Sequence, residues 1–258
     1  MLRSYIVGAG QVTSANDSLR LSTHDATAQV YSDAQIDDYG LLSPAPGLLP
    51  PAPGLRLPHR PPLTIRLRAR FSHPAGELRG TAGFGLWNYP WARLPVPPRA
   101  IWFFYASAPS DMPLALGVPG RGWKAAVIDT GRPQALALLP LAPLAVPLMR
   151  SYAGYRVLWP HIQRAVGVVE TLLEESMEDR HSFVIIWGEE HSSLAVDGHL
   201  VLEGGPSPRG PMCFVAWIDN QYFIVTPQGR FGWGLLDAPG EQWLELDELS
   251  VENERNVQ

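Results

Sequence analysis

One cysteine, one lysine and no unbroken apolar stretch of membrane-spanning length are the first facts of this 258-residue sequence. Cys213 has no partner for an internal disulfide and belongs to no zinc-ligand pattern. Between Met212 and Phe214 it reads as a small buried hydrophobe. Lys124 is the sole lysine; the remaining basic charge is arginine, with no clustered basic run and a net charge of −5. A nucleic-acid partner is therefore not expected, since phosphate binding needs grouped Lys and Arg. The longest apolar run, Leu136 to Met149, is broken by Pro140, Pro143 and Pro147, and falls short of the roughly 20 residues of a membrane span. Met1 to Gly10 holds too few apolar residues for the hydrophobic region of a signal peptide, so the expected location is cytoplasmic. No phosphate loop, serine nucleophile elbow or metal-ligand spacing is found, and the expected cofactor and metal content is none.

What is present is strand-forming. The segment Leu63 to Phe71 alternates strictly: Leu63, Ile65, Leu67, Ala69 and Phe71 fall on one face, and Arg66, Arg68 and Arg70 on the other. It predicts a half-buried strand whose arginines lie on an outer sheet. Thr81 to Asn88 is a glycine-spaced strand, and Arg99 to Ala106, apolar on both faces, predicts a strand covered on both sides. Later strands are expected at Ser182 to Trp187, Ser193 to Val196, Met212 to Trp217, Tyr222 to Val225 and Trp243 to Val251, with turn chemistry at Asp197-Gly198, Gly204-Gly205-Pro206 and Pro227-Gln228-Gly229. Shorter alternations, Leu19 to Ser22 and Ala28 to Tyr31, suit early or edge strands. The proline-rich stretch 43–62 repeats Pro-Ala-Pro-Gly-Leu and predicts a surface loop, because fixed φ angles and missing donors keep it out of a sheet interior.

Between residues 132 and 179 the period changes. With Pro160 at a first helical position, Ile162, Ala165, Val166, Val169, Leu172, Leu173 and Met177 fall on one stripe, and Tyr152 to Leu158 forms a shorter preceding helix. The acidic group Glu174, Glu175, Glu178 and Asp179 then lies at the helix end that disfavours it, with Arg180 as compensation. The expected architecture is an all-β antiparallel sandwich of one domain, 1–258, with a helical insertion around 141–178.

Two blocks carry a family resemblance. Ala69-Arg70-Phe71-Ser72 leads into Gly80-Thr81-Ala82-Gly83-Phe84-Gly85-Leu86-Trp87-Asn88. His181-Ser182-Phe183-Val184-Ile185-Ile186-Trp187 precedes Leu194-Ala195-Val196-Asp197-Gly198 and the proline-bounded return Pro208 to Pro211. In order and spacing, over roughly Leu63 to Val225, these resemble the family 16 glycoside hydrolases of the concanavalin A-like jelly-roll superfamily. The resemblance implies a retaining glycosidase with Glu-x-Asp-x-Glu on the strand after the tryptophan segment. Alternate residues share a face, which sets nucleophile and acid/base about 5 Å apart. Here that strand reads Ala100-Ile101-Trp102-Phe103-Phe104-Tyr105, and the cleft-facing positions are Ala100, Trp102 and Phe104. A ring can neither protonate a glycosidic oxygen nor attack an anomeric carbon.

Three readings stay open. The first is a non-hydrolytic or altered-chemistry jelly roll that binds a carbohydrate or an apolar small molecule on an aromatic concave face. Its expected ligand-binding residues are Trp87, Asn88, Trp91, Trp102, Phe104 and Tyr105, although alternation sends Tyr105 to the opposite face unless a bulge re-aims it. To these are added Trp217, Asp219, Asn220, Gln221 and Tyr222, where polar and aromatic groups meet at a strand end; an Asx turn uses the same residues. The second is an active glycoside hydrolase with displaced carboxylates, the candidates being Asp219 and Glu189. The third is a module that docks a protein partner through the helical insertion; exposed Ile162, Val166 and Val169 would mark it.

Overall fold

A computed structural model describes residues 2–15, 17–42, 54–89 and 96–253. In chain order the strands are β1 (Arg3–Val7), β2 (Gly10–Ala15), β3 (Ser18–Ala26), β4 (Asp33–Asp37), β5 (Gly40–Leu42), β6 (Gly54–Arg56), β7 (Leu63–Phe71), β8 (Thr81–Trp87), β9 (Arg99–Ala106) and β10 (Gly122–Asp129). Helices α1 (Pro133–Leu138), α2 (Ala142–Leu148) and α3 (Tyr152–Val166) follow, with one 3₁₀ turn between the first two. The chain closes with β11 (Val168–Leu172), β12 (His181–Trp187), β13 (His191–Val196), β14 (His199–Pro206), β15 (Cys213–Asp219), β16 (Gln221–Val225), β17 (Phe231–Leu235) and β18 (Ala238–Asn253).

Fourteen of these strands form two seven-stranded sheets: a front sheet ordered β1-β4-β15-β8-β9-β10-β11 and a back sheet ordered β14-β13-β12-β7-β18-β3-β2, every pairing antiparallel. The core lies between them. From β7 come Leu63, Ile65, Leu67, Ala69 and Phe71, as the alternation predicts. They meet Ala82, Phe84 and Leu86 of β8, Ile101, Phe103 and Tyr105 of β9, and Phe214, Ala216 and Ile218 of β15. At the centre, Phe103 and Phe183 have ring centroids 4.8 Å apart and Phe84 and Phe183 5.0 Å, both edge to face. Such pairs add about 0.5–1.5 kcal/mol beyond the burial of the rings themselves.

On the outer side of the back sheet, Arg66, Arg68 and Arg70 pair with Glu252, Glu248 and Glu245 of β18. Burial raises the Glu245 carboxyl, but hydrogen bonds from Arg20 and Arg70 outweigh it and hold the group below its ordinary value.

The helical region departs from expectation. Pro160 sits inside α3, which begins at Tyr152 behind an N-cap in which Ser151 Oγ accepts from the Gly154 N–H. The helix ends at Gly167, whose φ of 69° is the left-handed conformation that glycine adopts without strain. Beyond it the β-branched run Val168-Val169 enters β11 and pairs with β10, Val169 opposite Val127, so Val169, Leu172, Leu173 and Met177 are strand and loop residues. The acids from Glu174 to Asp179 therefore do not end a helix, and Arg180 pairs instead with Glu245 and Asp247. The helices span 133–166, earlier than the expected 141–178.

Ala28 to Tyr31 is a turn. Asn220 Nδ2 donates to the carbonyls of Thr27 and Val30, taking up acceptors that a strand would use. Of the proline-rich stretch, 43–53 lies outside the described residues; Gly54–Arg56 pairs only with β5, apart from both large sheets.

Candidate functional site

The residues of β9 that face away from the core are Ala100, Trp102, Phe104 and Ala106, and cross-strand register spreads their rows over the front sheet. One row runs from Trp102 through Gly85 and Val215 to Asp37, and in the other direction through Ala126 to Glu170. The next runs from Phe104 through Gly83 and Trp217 to Gln35, and outward to Lys124. A third carries Thr81, Asp219 and Asp33 side by side.

Rings gather where the first two rows cross β9 and β15. Trp102 and Phe104 stack at 5.4 Å and 20°, Trp102 and Trp217 lie 5.5 Å apart, and Phe104 and Trp217 6.1 Å. The intervening strand makes room for them. A Cβ on Gly85 would sit 2.7 Å from Trp102 Cβ, and one on Gly83 would sit 3.1 Å from Trp217 Cη2. The glycine spacing of β8 thus lowers the floor so that the indoles can lean across it. Trp102 and Trp217 are half-buried and keep part of their surface in solvent, whereas Phe104 is 9% exposed.

Polar groups border the rings. Trp217 Nε1 donates to Thr81 Oγ1 at 3.0 Å, and Thr81 Oγ1 donates to Asp219 at 2.8 Å. Asp219 also accepts from the Thr81 and Gln221 backbone N–H groups and from Gln221 Nε2. Its cross-strand neighbour is Asp33, and facing residues of this kind have Cβ atoms about 4.5–5.5 Å apart. Burial pushes the Asp219 carboxyl up to about 6 despite its hydrogen bonds. Burial, then the charge of Asp219, pushes Asp33 well above its ordinary value, against a hydrogen bond from the Tyr31 hydroxyl. Two like charges this close do not both ionise readily, so burial and mutual repulsion favour the pair holding a proton between them. Oδ1 of Asp33 is buried with no partner among the described residues. On the far side, Lys124 Nζ binds Glu170 at 2.7 Å, and Glu170 accepts from the N–H groups of Leu114 and Ala115. Beside that pair a groove of about 500 Å³ opens between α3 and the β16–β17 turn, lined in part by Asp111, Tyr152, Tyr155, Arg156 and Arg230.

Several expected site residues lie elsewhere. Tyr105 is in the core, where its hydroxyl donates to the Leu78 carbonyl and accepts from the Gly76 N–H; the alternation holds and no bulge re-aims it. Asn88 spends its amide closing the loop before β9, donating to the Pro97 carbonyl and accepting from the Arg99 N–H. Asn220 is fully buried, its amide N–H groups donating to three carbonyls and its oxygen accepting from the Ser32 N–H, so it clamps the backbone and presents nothing to solvent. Tyr222 packs against Gly234 within the β16–β17 hairpin. Trp87 does face outward, one row beyond Trp102, edge-on to Tyr89 at 5.4 Å. Trp91 lies outside the described residues. Glu189 is in the β12–β13 turn of the back sheet and does not join Asp219. Ile162, Val166 and Val169 are half-buried and do not form the exposed docking stripe.

Asp33, Lys124 and Glu170 escaped the sequence reading. Asp33 opposes Asp219 only through strand pairing across 186 positions of chain, which no local pattern announces. Lys124, the only lysine, was the one available signal. Among the described residues no group of three His, Cys, Asp or Glu side chains is placed to hold a metal ion.

By sequence, no family model and no curated protein matches the chain. Its fold is nonetheless known: two antiparallel sheets in a concanavalin A-like jelly roll, as found in family 16 glycoside hydrolases. The family 16 endo-glucanase from Bacteroides ovatus is similar with a TM-score of 0.52 and 8% identity, over 97% of this chain and 94% of that one. The Bacillus licheniformis β-glucanase has a TM-score of 0.47 and 9% identity, over 95% and 82%. The GlcNAcα1-4Gal-releasing endo-β-galactosidase from Clostridium perfringens has 0.48 and 10%; this chain covers 98% of itself but spans only 59% of that enzyme.

Proposed function

We propose that the protein binds a carbohydrate on the outer face of the front sheet, with Trp102, Phe104 and Trp217 as the stacking floor and without hydrolysis at the usual family 16 position. The observation that carries this reading is the partly solvent-exposed ring cluster, two of whose members, Trp102 and Phe104, stand at the β9 positions where the resemblance would put a retaining enzyme's acids. Sugar rings present apolar C–H faces to aromatic planes, while bordering carboxyls and amides take the hydroxyls. The Bacteroides enzyme of the same fold is an endo-glucanase, which suggests a glucan first. The local charge favours a neutral sugar: even with one proton held by the Asp33–Asp219 pair, that pair, Asp37 and Glu170 outnumber Arg3 and Lys124 on this face, and both cations are already paired. Calorimetric titration with neutral β-glucan, galactan and xyloglucan oligosaccharides tests it. Binding to at least one is the expected result; binding only to apolar molecules would replace the sugar with such a ligand.

A second reading has its own observation. Asp33 and Asp219 are adjacent carboxyls, both raised by burial, and a pair that shares a proton offers an acid and a base side by side. If they hydrolyse the bound glycan, new reducing ends accumulate, and Asp33→Asn and Asp219→Asn each slow release roughly 10²-fold or more. Binding without release leaves the non-hydrolytic reading in place.

A further inference from the structure

The inserted helices bury almost nothing. In α1 only Ala135 is buried, and in α2 no residue is. Leu136, Leu139, Leu141, Leu144 and Leu148 all stand in solvent, Leu139 at 64% and Leu144 at 67% exposure. Across Pro133 to Met149 the one side chain able to hydrogen-bond is Gln134. The β16–β17 turn packs on α2, where a Cβ on Gly229 would fall 2.6 Å from Val146 Cγ1. That contact brings the hairpin's exposed Val225, Phe231 and Trp233 into the same region, Phe231 being 77% exposed. An apolar surface of this extent is not left in water without a reason.

Its charge is as one-sided as its polarity. Residues 130–169 and 220–236 hold five arginines and no aspartate or glutamate; Arg132 and Arg230 pair with Asp129 and Asp111 outside these stretches, so the charge argument rests on Arg150, Arg156 and Arg164. The rest of the chain has 15 basic against 25 acidic side chains. Arg150, Arg156 and Arg164 are exposed around the leucines. We infer that the helical insertion and the neighbouring hairpin dock on an anionic phospholipid surface, with leucines and Trp233 entering the acyl boundary and the arginines binding phosphates. A folded protein partner needs hydrogen bonds at its rim and complementary polar groups. Fluid acyl chains need neither, and a surface with one polar side chain in seventeen residues fits them better. Guanidinium groups match phosphate oxygens two at a time. No described helix is long and apolar enough to cross a membrane, so the inferred contact is interfacial. This inference does not rest on the carbohydrate site.

The test is co-sedimentation of the full chain with vesicles of phosphatidylcholine and phosphatidylglycerol in equal parts, beside vesicles of phosphatidylcholine alone. Partition onto the mixed vesicles is expected to be about tenfold stronger or more, and to weaken with added salt. The double variant Leu139→Ser/Leu144→Ser alters only exposed positions, so its circular dichroism and melting should match the parent while its partition falls about tenfold. Arg150→Gln/Arg156→Gln should reduce the preference for the anionic vesicles. Failure of the parent to bind, or undiminished binding by the leucine variant, overturns the proposal. So does a parent dimer that the leucine variant dissolves in the absence of vesicle binding, which would make a second copy the occupant.

Discussion

The two sheets of this sandwich turn opposite chemistry outward. The back sheet sets Arg66 and Arg68 against Glu252 and Glu248 in solvent, with side chains 42–67% exposed. The front sheet sets Lys124 against Glu170 at 2% and 0% side-chain exposure, and carries rings and paired carboxyls between them. The same residue types thus meet in two dielectric settings. Where water screens them, they contribute little and tolerate change. Where the 112–119 loop excludes water over Lys124 and Glu170, each charge must be matched by a partner. A protein that keeps costly polar groups beside a half-buried aromatic floor has an outer face unlike an ordinary solvated sheet.

The contrast can be broken from its strongest point. Replacing Lys124 by Met leaves Glu170 buried and unpaired, and should cost about 3–5 kcal/mol in urea unfolding. A loss below about 1 kcal/mol would mean the front face is wetter than described.

A smaller effect comes from the carboxyl pair. Asp33 and Asp219 both titrate above the 3.8 of an ordinary aspartate. The native state therefore holds more protons than the unfolded one, and the stability this confers is complete below that value and lost as pH rises through the folded values. Asp33→Asn keeps a neutral side chain at every pH. It should flatten this decline and raise the melting temperature at pH 8 by a few degrees, roughly 2–4 °C per kcal/mol for a chain of this size. An unchanged pH profile would show that the two groups do not share their protons.

The smallest effect belongs to the back sheet. Arg68→Gln should shift stability by less than about 1 kcal/mol, and less still at high salt. A larger shift would erase the distinction between the faces.

How far the sequence revealed these faces depended on the range of the cause. Strict alternation over Leu63 to Phe71 and the doubly apolar Arg99 to Ala106 predicted strands with those same bounds, because side-chain period and burial are local properties of a strand. The outward placement of Trp102 and Phe104 followed from that parity. The helix-to-strand change at Gly167 was missed, because Val169, Leu172 and Leu173 continue a helical spacing by coincidence while their partners on β10 lie some forty positions earlier. The Asp33–Asp219 pair and the Lys124–Glu170 bridge depend on register between distant strands. Of the aromatic-polar segment Trp217 to Tyr222, Trp217 and Asp219 lie at the ring cluster and its polar border, whereas Asn220 inside it is a structural clamp. A polar side chain in a turn looks the same in sequence whether it holds the backbone or faces a ligand.

The central claim is that the half-buried rings of the front face hold the sugar, and one titration addresses it. The best-binding oligosaccharide from the glycan panel is titrated calorimetrically into the parent, into Trp102→Ala and into Trp233→Ala, whose indole is 63% exposed on the β16–β17 hairpin. The account predicts about tenfold weaker binding or more for Trp102→Ala, equivalent to about 1.4 kcal/mol, and parental affinity for Trp233→Ala. Parental affinity for Trp102→Ala, with loss in Trp233→Ala, would contradict it.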